Sequence, residues 1–175
     1  MGFALNHFLH FLLLCLSLLL NHQSSSNSTA TLGIEPSELR ALMELKSSLD
    51  PEGRVLSSWA VGSDPCGFEG VTWNEHGKVA NISLQGKGLI GTILPSVSGL
   101  RWLSGLYLHY NAFGGEVPRE LASLTGLLDL YLNINNLSGT IPEEIGTMAS
   151  LQVLQHCYNQ LTWSIPEAYP PSWVC

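Results

Sequence analysis

The sequence predicts an α/β repeat fold, a right-handed solenoid of about four 24-residue units behind a helical N-terminal cap. Three observations carry this. A leucine spacing recurs every 24 positions without insertion from Val79 to Pro166; a leucine stripe of helical period precedes it; and all 7 Lys and Arg and all 14 Asp and Glu lie from Glu35 onward, so the first 34 positions are a separate kind of segment. The 175 residues suffice for one ordinary domain. A net charge of −7 with no Lys/Arg cluster argues against nucleic acid or an anionic membrane as partner.

Phe8 to Leu20 is apolar except for His10 and Ser17, and the small polar run Asn21 to Thr31 follows it. About 13 apolar residues are too few to span a hydrocarbon core of roughly 30 Å. The segment reads as a secretory signal peptide over residues 1–24, with cleavage between Ser24 and Ala30. No later stretch approaches 18 apolar residues, so a secreted chain with no direct membrane span is expected. Asn27, Asn81 and Asn136 head Asn-x-Ser/Thr sequons and are candidate glycosylation sites.

The cap is expected over residues 35–78. Leu39, Leu42, Leu45 and Leu49 form one helical face, and Asp50-Pro51-Glu52-Gly53 stops it. The repeats are expected over 79–166. Leu103, Leu106, Leu108, Asn111, Phe113, Gly115, Val117, Pro118, Leu121 and Leu124 return 24 positions later as Leu127, Leu130, Leu132, Asn135, Leu137, Gly139, Ile141, Pro142, Ile145 and Met148. A third copy starts at Leu151, and the register holds one unit upstream from Val79 to Leu100. In L-x-x-L-x-L the last two leucines point inward from a short strand and the residues between them face solvent. The following Asn can bond turn backbone of the adjoining unit. Gly115 and Gly139 suit a turn that a side chain would crowd. The Ile-Pro or Val-Pro step favours extended chain before a helical turn on the convex side. No unit buries its apolar face without its neighbours.

This pattern is that of a leucine-rich-repeat solenoid, and its L-x-G-x-[IV]-P half resembles the plant class of extracellular repeats. The upstream order Leu56, Trp59 and Asp64-Pro65-Cys66-Gly67-Phe68-Glu69-Gly70-Val71-Thr72-Trp73-Asn74 resembles the N-terminal cap of plant leucine-rich-repeat receptor-like kinases and their secreted relatives. Such receptors continue through more repeats, a membrane span and a kinase domain, none of which this sequence contains. The resemblance also implies a pair of cysteines in the cap, with Trp73 standing where the partner of Cys66 is expected. Cys66, Cys157 and Cys175 then leave an odd count, which signals a free thiol or an intermolecular bridge. His156 takes an inward leucine position and Trp163 the glycine position. The tail 167–175 shows no further repeat, so the last unit is expected to fray, with Leu154, Leu161 and Ile165 uncovered.

Catalytic readings do not survive the register. Gly86-x-Gly88-x-x-Gly91 follows a strand as a nucleotide-binding loop would, yet the repeat accounts for each glycine and no βαβ unit follows. His156 and Cys157 are adjacent on a strand, so the imidazole is expected in the core and the thiol in solvent. His109 and Cys157 share a face but lie two strands apart, too far for one metal. No catalytic residue, metal or cofactor is assigned.

The concave face remains. Tyr107, His109, Tyr110, Asp129, Tyr131, Asn133, Gln155 and Tyr158 are its candidate binding residues, because tyrosine combines large contact area with a polar tip. The expected function is extracellular recognition of a peptide or protein ligand, another receptor ectodomain among them. Two alternatives are a truncated, inactive product of a receptor kinase locus and a secreted inhibitor of a wall-degrading enzyme.

Overall fold

The structure, a computed structural model, describes residues 35–162. The signal-peptide segment, Asn27, Trp163, Ile165 and the tail 167–175 lie outside the described residues. The fold is the expected leucine-rich-repeat solenoid. Its main sheet has five strands: β1 (Val71–Trp73), β2 (Val79–Ser83), β3 (Gly105–Tyr107), β4 (Asp129–Tyr131) and β6 (Val153–Gln155), in the order β1-β2-β3-β4-β6. Strands β2, β3, β4 and β6 are parallel and in one register, with Ile82, Leu106, Leu130 and Leu154 side by side. That column is fully buried, as is the next inward one of Leu84, Leu108 and Leu132. The convex side is made of the short 3-10 turns Pro95–Gly99 and Arg119–Ser123 and the one-turn helix α2 (Glu143–Gly146). They bury Val97, Leu121 and Ile145.

The Asn positions explain why the register is so strict. Asn135 donates from Nδ2 to the Leu132 carbonyl of its own unit (3.0 Å) and to the Leu108 carbonyl of the preceding one (3.1 Å), while its Oδ1 accepts from the Phe113 amide (3.0 Å). Asn111 repeats this with Leu108, Leu84 and the amides of Lys87 and Leu89, and Asn159 with His156, Leu132 and the Leu137 amide. The residue before each Asn has a left-handed backbone: φ is 58° at Tyr110, 57° at Ile134 and 56° at Tyr158. Such a conformation is rare outside glycine and for β-branched Ile134 is strained. It turns the chain so that the Asn side chain enters the stack.

A second parallel ladder, which the leucine pattern does not announce, runs beside the main sheet. It consists of β5 (Ser138–Gly139) paired with β7 (Gln160–Leu161) and of single bridges Thr92 to Gly114 and Glu116 to Ser138. In the cap, strand β1 is antiparallel to β2, so the sheet continues into it. Helix α1 (Pro36–Leu49) buries Glu38, Ala41, Leu42, Leu45 and Leu49, with Leu39 half-buried, so its inward stripe is shifted from the leucine pattern. Its last turn docks where the Ser48 carbonyl accepts the Thr92 amide at 3.0 Å. A Cβ at Gly91 would overlap that carbonyl, which explains the last glycine of the apparent nucleotide loop.

Trp73 is buried and donates its indole N–H to the Pro65 carbonyl at 3.2 Å, and Trp59 and Phe68 are stacked and buried in the same cap. The cap is thus packed around the tryptophan. At the far end, Leu154 is fully buried, against the expectation that it would be uncovered, and Leu161 is half-buried. His156 is half-buried rather than enclosed in the core. Burial still holds its imidazole below the ordinary pKa. Cys157 is disulfide-bonded rather than a solvent-facing thiol, its partner lying outside the described residues.

Two predictions follow from these contacts. Asn135→Ala strips Leu108, Leu132 and Phe113 of a buried partner and should cost about 3 kcal/mol in denaturant unfolding, given about 1–3 kcal/mol for each orphaned group; a loss under about 1 kcal/mol would contradict the ladder's role. Asp50, at the end of α1, accepts the amides of Arg54 (3.1 Å), Val55 (2.9 Å) and Leu56 (2.8 Å). Burial pushes its carboxyl up, but these donors outweigh it and hold it below the ordinary range. A lowered folded pKa stabilises the protein above the unfolded value and the benefit is lost as pH falls. The stability gap between wild type and Asp50→Asn should therefore be full at neutral pH and shrink as pH drops below about 4.

Candidate binding face

Because the strands share one register, their outward residues form columns. Ser83, Tyr107, Tyr131 and Gln155 make one, and Asn81, Gly105, Asp129 and Val153 the other. Tyr107 and Tyr131 are half-buried, with ring centroids 5.2 Å apart at a tilt of 35°. His109, just past β3, lies 5.4 Å from the Tyr131 ring and 5.2 Å from that of Tyr110. The Tyr107 hydroxyl donates to Asp129 Oδ2 at 2.8 Å. Five of the eight candidate residues, Tyr107, His109, Tyr110, Asp129 and Tyr131, therefore form one cluster. Tyr110 and Tyr158 sit at the left-handed turn rather than on strands, and are 57% and 81% exposed. Among the described residues, Tyr158 and Gln155 make no ring contact or side-chain hydrogen bond to the cluster.

The electrostatics follow from partial burial. Desolvation, then the hydrogen bond from its hydroxyl to Asp129 and that residue's charge, push the Tyr107 phenol up to about 12. It stays a neutral donor. Burial lowers the His109 pKa, so the imidazole is neutral at neutral pH. His109 Nδ1 and Asn133 Oδ1 are buried with no hydrogen-bond partner among the described residues. The arrangement has large aromatic faces, a carboxylate and neutral polar groups, and it lacks a nucleophile paired with a base.

A separate cleft of about 430 Å³ lies between α1 and the Pro95–Gly99 turn and shares no residue with the cluster. Its walls carry both signs, with Arg40 near Glu44 (3.8 Å) and Glu35 paired to Lys78 (2.8 Å), so it offers no site of one charge. At its base Glu38 accepts the Val79 amide at 3.2 Å, and burial raises its carboxyl pKa, an inward acid that the leucine spacing does not reveal.

Of the sequons, Asn136 is exposed in the loop before β5, whereas Asn81 is half-buried in β2 between two paired strands, with its Oδ1 accepting from the Ser104 hydroxyl at 3.2 Å. No group of three or more His, Cys, Asp or Glu with metal-holding geometry occurs among the described residues, and no helix there is long and apolar enough to cross a membrane.

Comparison with known proteins places this geometry. The Leucine rich repeat N-terminal domain matches residues 35–72 and the Leucine Rich Repeat matches 126–148. An inactive leucine-rich repeat receptor-like serine/threonine-protein kinase of Arabidopsis thaliana is 34% identical over 115 residues, which is 52% of this chain and 17% of the relative. The first curated relatives are matched over only 8–17% of their own lengths. Among solved structures, PEPR1 in its complex with AtPEP1 is 30% identical with a TM-score of 0.69, covering 77% of this chain and 19% of that one. The Arabidopsis receptor kinase HAESA, solved with the peptide hormone IDA and the co-receptor SERK1, is 26% identical with a TM-score of 0.54, covering 75% of this chain and 27% of that one. The chain carries a leucine-rich-repeat N-terminal domain and a leucine-rich-repeat solenoid, similar in sequence and fold to the ectodomains of plant leucine-rich-repeat receptor-like kinases.

Proposed function

We propose that this chain is an extracellular, non-catalytic recognition module that binds a peptide or protein partner on its concave face. The observation that carries the reading is the cluster of Tyr107, Tyr131, His109, Tyr110 and Asp129, brought together by strands locked in register and the turn that follows β3. Rings fixed by neighbours lose little entropy on contact, which makes them effective anchors. The likeness to ectodomains solved with a peptide hormone and a co-receptor supports the class of partner. Secretion rests on the apolar segment Phe8 to Leu20. Exposure favours Asn136 as a glycan carrier; a glycan on Asn81 would stand on the recognition face itself.

Selection of a displayed random peptide library against the purified chain tests the reading. Binders should lose about 1–2 kcal/mol on Tyr107→Ala or Tyr131→Ala, the range of an interface anchor, with little change in melting temperature. Leu130→Ala should instead cost about 2–5 kcal/mol of stability, since it empties a core position. Binders indifferent to both tyrosine changes would refute the concave-face assignment.

A further inference from the structure

The recognition face carries a charge pattern that narrows its partner. Across the four strands β2, β3, β4 and β6 (VANIS, GLY, DLY and VLQ), Asp129 is the one charged side chain. Its register neighbours are Gly105 and Val153, so neither adjacent strand offers a cation, and it enters no ion pair among the described residues. One carboxylate oxygen receives the Tyr107 hydroxyl, and no hydrogen bond within the described residues reaches the other. The imidazole of His109 contacts the Tyr131 ring, and burial shifts it toward its neutral form.

Two tyrosines flank this carboxylate: Tyr107 donates its hydroxyl to it, and Tyr131 stands two residues along the same strand. Gly105 makes that possible, because a Cβ there would come within 2.6 Å of the Tyr107 ring and 2.8 Å of its hydroxyl. The absent side chain lets the Tyr107 ring fold across its own strand toward Asp129, and Tyr131 follows at 5.2 Å. A cation is attracted to an aromatic face within about 6 Å of its centre, and a guanidinium can stack on the ring while donating to a carboxylate. A neutral partner covering Asp129 would leave a desolvated charge uncompensated, and an acidic one would add repulsion.

Resting on the recognition reading above, we propose that this face selects a basic side chain. An arginine or lysine of the partner lies over Tyr107 and Tyr131 with its charge on Asp129.

Two blocked tripeptides, acetyl-Gly-Arg-Gly-amide and acetyl-Gly-Gln-Gly-amide, test this by titration into the full chain while the tyrosine ring NMR signals are followed. The arginine peptide should shift Tyr107 and Tyr131 and bind at least fivefold more tightly than the glutamine peptide at low salt. The preference should disappear in Asp129→Asn, which keeps the shape and the acceptor for Tyr107, and shrink in 0.5 M salt. Equal binding of both peptides at the tyrosines would overturn the charge selection while leaving the recognition face standing. Shifts confined to residues outside the face would overturn both.

Discussion

Each asparagine of the ladder bonds two successive repeats at once. Its amide nitrogen holds the carbonyls that end the inward strands of its own and the preceding repeat, and its oxygen accepts an amide in the preceding repeat's loop. Those backbone groups are buried by the stacking itself and would otherwise have no partner. The constraint runs both ways. The Asn reaches its bonds only if the repeats differ by 24 residues, and the 24-residue register buries the leucines only if the turn carrying the Asn can close. The left-handed conformation at Tyr110, Ile134 and Tyr158 is the strain accepted for that closure.

The outward face inherits its order from this inner one. Locked registers place Tyr107 next to Tyr131 and Asp129 next to Gly105 without any direct bond having to fix them. The turn that admits Asn111 also sets Tyr110 beside His109. A rigid, mostly neutral aromatic surface with one carboxylate is thus a consequence of how the interior is tied.

The repeat unit, the inward leucines, the convex turns and the cap helix were legible because each follows from a spacing of residue types. The face was legible in part, since alternation along a strand shows which residues point outward. Which of them touch was not, because that depends on features without a periodic sign. Gly105 matters for the space it leaves to Tyr107, and Tyr110 and Tyr158 lie at a turn whose backbone no residue type announces. The second ladder through Ser138 and Gln160 was hidden for a related reason: it is made by backbone groups, with two residues per strand and no burial pattern. Glu38 and Trp73 were missed as parts of the cap interior because each is buried through one hydrogen bond to a backbone group distant in sequence or across a turn.

Native-state hydrogen exchange gives the most direct test of the claim that the asparagine ladder joins strand, turn and neighbouring repeat into one cooperative unit. The amides of Leu89, Phe113 and Leu137, which bond the asparagine oxygens, should exchange with the same opening free energy as the strand-end amides of Leu84, Leu108 and Leu132, which bond across to Tyr107, Tyr131 and Gln155. Loop amides that open orders of magnitude faster than the strand amides would show that the ladder decorates the stack without holding it, and would contradict the account.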